Sequence, residues 1–93
     1  MATQFDVKNA SVAASGSVWG ARTRVKGLVI TPSAVAGSVV LKDGGSGGVT
    51  KLTVTTAADV RPFTVEIPGE GLLFETDVYA VLTSVAAVSV FYG

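Results

Sequence analysis

The sequence predicts an all-β protein: one antiparallel β-sandwich, jelly-roll or immunoglobulin-like, of about seven or eight short strands with an extended N-terminal arm. Three observations predict it. Val and Thr recur in short stretches, and both are branched at Cβ and pack well on a pleated surface. Turn-forming residues interrupt these stretches at roughly 8–12-residue spacing, the rhythm of a sandwich or small barrel. No window places apolar residues at helical spacing with polar residues between them. With 93 residues, the chain suffices for one domain.

The N-terminal part, residues 1–21, reads as an arm or edge strand. Thr3 to Val7 alternates as a strand does, whereas Ala10 to Val18 is small and weakly patterned. Phe5, Val7, Val12 and Trp19 are its candidate interface residues, expected to order against a neighbouring subunit. On that reading, deleting residues 1–18 leaves the sandwich folded.

The sandwich domain spans residues 22–93, and its first strand runs from Arg22 to Thr31. This strand places Arg22, Arg24 and Lys26 on one face before Gly27, where a bulge or bend is expected. Pro32 ends it. Gly37–Asp43 and Val49–Thr56 form a hairpin around the glycine-rich loop Gly44-Gly45-Ser46-Gly47-Gly48. Phe63–Ile67 alternates strictly and is followed by a Pro68-Gly69 turn. Leu72–Glu75, Val78–Ser84 and Ala87–Tyr92 complete the set, with Val88, Val90 and Tyr92 on one face. Phe63, Val65, Ile67, Leu52, Val54, Leu41 and Val90 are the expected core.

Composition then bounds the function. Apolar residues make up 48% of the chain and charged residues 15%, against about 25% charged in an average protein. A domain this small has modest core volume, so the surplus apolar residues call for a partner surface, most simply a homo-oligomer. Residues 1–58 carry a net +4 and residues 59–93 a net −4, a polarity suited to docking between copies. The basic part is too dilute for nucleic acid, and no apolar run approaches the ~20 residues of a membrane helix. Met1 to Ala14 contains Gln4, Asp6, Lys8 and Asn9 and so lacks the apolar region of a signal peptide.

The chain contains neither His nor Cys. That removes the commonest general base, the commonest activated nucleophile pairs, disulfides and ordinary zinc sites. Gly44-Gly45-Ser46-Gly47-Gly48 formally fits a nucleophile elbow but has no His partner and no following helix. Glu66, Glu70, Glu75 and Asp77 cluster near the 68–71 turn without the spacing of a calcium loop, and read as solvated turn carboxylates. No catalytic, cofactor-binding or metal-ligating residue is assigned, and the chain is read as a non-enzyme without a cofactor.

Gly37-Ser38-Val39-Val40-Leu41-Lys42-Asp43-Gly44-Gly45, the Thr-rich strand after it, Ile67-Pro68-Gly69-Glu70-Gly71-Leu72 and Val88-Ser89-Val90-Phe91-Tyr92-Gly93 together resemble small β-sandwich virion proteins of tailed bacteriophages. The resemblance is one of pattern and covers residues 25–93. It implies a structural virion protein: a capsid cement or decoration protein, or a part of the head–tail region, that stabilises a shell through inter-subunit contacts. The implied partners are other virion proteins, the major capsid protein first, and further copies of the chain, most often as a trimer. Its implied location is the virion, after synthesis in the host cytoplasm. The alternative is a small carbohydrate-binding or adhesin-like β-domain with Trp19 and the tyrosines as stacking platforms.

Overall fold

A computed structural model describes residues 8–69 and 71–93. Nine strands form among the described residues: β1 (Lys8–Val12), β2 (Gly16–Trp19), β3 (Thr23–Pro32), β4 (Gly37–Asp43), β5 (Val49–Thr56), β6 (Phe63–Glu66), β7 (Leu72–Phe74), β8 (Val78–Thr83) and β9 (Val85–Tyr92). All pairings are antiparallel. One sheet has the order β1-β9-β3-β6, with β7 also on β3, and the other has the order β2-β8-β4-β5. If β6 and β7 are taken as one interrupted edge, this is the eight-position order of a jelly roll.

The order has a simple physical description. β1 is followed by β2, β8 by β9, β3 by β4 and β5 by β6, and each such pair occupies matching positions in the two sheets. The molecule is therefore a four-stranded ribbon folded over once, and four chain segments turn the fold side by side. Those corners are residues 13–15, 33–36, 57–62 and the single residue Ser84, which turns with a φ of 51°. Ala13, Ala14, Ser15, Ser33, Ala34, Ala36, Ala57 and Ala58 supply small side chains where the strands bend together. A side chain at Gly37 would collide with the Thr83 carbonyl oxygen, so glycine is what lets β4 begin against the end of β8.

The core lies between the sheets. Val25, Leu28, Ile30, Phe74, Val88, Val90 and Tyr92 enter it from the first sheet, and Val39, Leu41, Val78 and Ala80 from the second. Each large apolar side chain buried this way contributes about 1.5–3 kcal/mol. Val25 and Leu28 both point inward although their odd spacing should place them on opposite faces. The register against β9 steps from Val25↔Tyr92 to Gly27↔Phe91, leaving Lys26 as the extra residue of a bulge. The bulge restores the inward phase, as Gly27 led one to expect. Opposite Lys26 the partner edge breaks too: Ile67, Pro68, Gly69 and Gly71 lie outside both β6 and β7, with Gly69 at φ 68° and Gly71 at φ 93°.

Two expectations change. Of the expected core, Leu41 and Val90 are fully buried, and Leu52, Val54, Val65 and Ile67 are half-buried against it. Phe63 is 37% exposed. It keeps the alternation of its strand but stands at the rim, opposite Ile30, next to the open 57–62 corner. Of the two readings of the N-terminal segment, arm or edge strand, the described part from Lys8 on takes the edge-strand one and pairs with its own chain: β1 with β9 and β2 with β8, with Val12, Val18 and Trp19 packed on the core. Deleting residues 1–18 therefore strips an edge from both sheets. The basic and acidic parts of the chain also meet at one place, where Asp43 of the first reaches the backbone of Glu75, Thr76 and Asp77 in the second.

Candidate functional site: a basic cleft beside Trp19

The end of the sandwich opposite the corners carries a cleft of about 420 Å³ lined by Lys8, Trp19, Arg22, Thr23, Arg24, Leu73 and Gly93. Strand register brings these residues together. Lys8 at the start of β1 stands opposite Tyr92 near the end of β9. Trp19 ends β2 opposite Val78. Arg22 precedes β3, and Arg24 within it stands opposite Leu73. The Gly93 N–H donates to the Arg24 carbonyl oxygen at 3.0 Å and fixes the floor.

Trp19 is half-buried, and its ring lies 5.2 Å, centroid to centroid, from that of Tyr92 at a tilt of 34°. The Lys8 Nζ sits over the Trp19 ring, 5.4 Å from its centroid. Such a contact is worth about 0.5–1 kcal/mol at an exposed site. The indole thus already has an aromatic and a cationic partner within the chain, which reduces the free ring face that a sugar or base would need. No carboxylate among the described residues comes within ion-pair distance of Lys8, Arg22 or Arg24. Three cations converge beside an aromatic ring and an apolar leucine, which is chemistry for holding an anion.

Next to this cleft, two aspartates tie the loops together. The Asp43 carboxylate accepts the N–H of Glu75 at 2.9 Å and of Thr76 at 2.8 Å. In return, the Asp77 carboxylate accepts the N–H of Gly44 at 2.7 Å and of Gly45 at 3.0 Å. The Glu75 N–H first, then that of Thr76, holds the Asp43 carboxyl below the usual aspartate range. Gly44 and Gly45 adopt positive φ, and a side chain at Gly48 would collide with the Asp43 carbonyl oxygen, so the loop Gly44–Gly48 is a tight hairpin turn. Ser46 within it has no base to activate it, since the chain lacks His.

Among the expected interface residues, Val12 is half-buried against the core and Trp19 lines the cleft, while Phe5 and Val7 lie outside the described residues. Of the acidic cluster, Asp77 is engaged with the hairpin loop and Glu70 lies outside the described residues. No group of three or more His, Cys, Asp or Glu among the described residues is placed to hold a metal ion. Sequence reasoning put Arg22 and Arg24 on one face but did not bring Lys8 and Trp19 to them. The available signal was Trp19 three residues ahead of an Arg-x-Arg alternation; the contribution of Lys8 depends on cross-strand register. No family model, curated protein or solved structure matches this chain, so its function is read from its own residues.

Proposed function

We propose that this chain is a non-catalytic structural protein of a virion, a cement or decoration protein that stabilises a shell by contacts between subunits. One observation supports this most: close to half the residues are apolar, yet among the described residues eleven hydrophobic residues are buried and eleven more are only partly buried against them. Part of the remainder is gathered at the corner end, where Val35 and Val60 are each 62% exposed among exposed Ala13, Ala14, Ala34, Ala36, Ala57 and Ala58. The charges at that end, Asp59 and Arg61, neutralise each other at 2.9 Å. A small-residue, uncharged surface desolvates cheaply and fits a flat neighbour closely. Jelly rolls serve in viral capsids and also in lectins, so the architecture alone is analogy. The engagement of Trp19 by Tyr92 and Lys8 weighs against the carbohydrate-binding alternative.

Sedimentation of the purified chain, alone and mixed with shells lacking it, tests the proposal. The expected result is a homo-oligomer, a trimer in the leading reading, or co-sedimentation with shells. Val35→Asp and Val60→Asp together should weaken that association at least about tenfold while leaving the circular dichroism unchanged. A chain that stays monomeric and binds no shell sinks the reading.

A further inference from the structure

We propose that the cleft at the loop end is a docking site for an acidic peptide segment of a partner protein, with Lys8, Arg22 and Arg24 as its carboxylate-binding residues. The three cations have no carboxylate partner among the described residues, and they line one shallow, open cleft of about 420 Å³. Two are arginines, whose planar guanidinium groups bind carboxylates in paired fashion. Leu73 and the part-exposed Trp19 give the wall an apolar component, so the matching ligand interleaves acidic with apolar side chains.

Nucleic acid matches less well. Phosphate-driven binders neutralise about 6–10 phosphates, and single-strand binders offer aromatic rings on which bases stack. Here there are three cations, and Trp19 is engaged by Tyr92 and Lys8. The inference does not rest on the virion reading: a monomer that binds no shell would remove that reading and leave this one standing.

Trp19 is the single tryptophan of the chain and reports on the site directly. An anion that draws the Lys8 ammonium off its ring changes its emission. The probe is a short capped peptide alternating Glu with Leu, titrated at low salt and followed by tryptophan fluorescence. Saturable binding is expected, at least about tenfold weaker for R22E/R24E, and abolished near 1 M salt, where the Debye length is about 3 Å. Circular dichroism checks the fold of the double variant, and Arg22→Gln alone, at an exposed position, provides a milder variant expected to weaken binding in the same direction. The proposal is overturned if the peptide with Gln in place of Glu binds equally well, if R22E/R24E binds as the parent does, or if oligothymidylate binds as tightly as the acidic peptide.

Discussion

The two ends of this sandwich solve the same problem with different chemistry. At both, the chain must leave one sheet or strand for another while its backbone polar groups find partners. At the corner end the partners are mainly neutral hydroxyls, with the Asp59 carboxylate accepting the Arg61 N–H at 3.0 Å as the exception. The Ser15 hydroxyl lies 2.9 Å from the Leu82 N–H, and the Ser33 hydroxyl donates to the Ser84 carbonyl at 2.7 Å. At the loop end the partners are the carboxylates of Asp43 and Asp77. One end is thereby left small, apolar and indifferent to pH apart from its exposed Asp59–Arg61 pair. The other is charged, pH-sensitive and cleft. The division fits the two proposed surfaces: shape matching with a neighbour at the corners, and charge recognition at the loops.

The largest expected effect tests burial at the two ends. Phe74, beside the loop end, is fully buried, and Phe74→Ala should destabilise by about 3–5 kcal/mol. Phe63, at the corner rim and 37% exposed, should lose less than about 1.5 kcal/mol in Phe63→Ala. Urea unfolding of both variants measures the difference, and equal losses would mean that the corner end is sealed in solution.

Backbone approach gives the next contrast. Gly37→Ala pushes a methyl group into the Thr83 carbonyl and should destabilise by about 1–3 kcal/mol. Gly20→Ala, in the turn before β3, meets nothing within 4 Å and should be near neutral. Thermal melts distinguish them, and a neutral Gly37→Ala would show that the corners are loosely packed.

Smaller effects separate hydroxyl from carboxylate. Ser15→Ala removes the partner of the Leu82 N–H and should lower stability by about 1 kcal/mol, equally at pH 3 and pH 7. Asp43 behaves differently. Its folded pKa lies below the unfolded value of about 3.9, so the folded state favours the ionised form. The stability this provides is present above the unfolded pKa and is lost as pH falls through the folded one. The parent should therefore weaken as pH falls below about 4, and Asp43→Asn should show a shallower acid limb. Asp59, held low chiefly by the Arg61 side chain, adds a limb of the same sign at the corner end. The double variant Asp43→Asn/Asp59→Asn isolates what remains. An unchanged acid limb in Asp43→Asn would show that the aspartate tie is absent in solution.

The sequence by itself determined the strands. Alternation in β3, β4, β5, β6, β8 and β9 is a local property, and so are the positive φ at Gly69 and the bulge before Gly27, because each depends on side-chain size and backbone freedom over a few residues. It left Ala10 to Val18 open between an arm and an edge strand, since small residues carry little periodic signal; pairing with β9 and β8 decides for two edge strands. Nor could it place Phe63, because alternation fixes the face of a residue but not whether another sheet reaches far enough to cover it. The cleft was hidden for the same reason. Lys8, Trp19, Arg24 and Leu73 come from four strands, and only cross-strand register, a long-range property, puts three cations and an indole along one cleft.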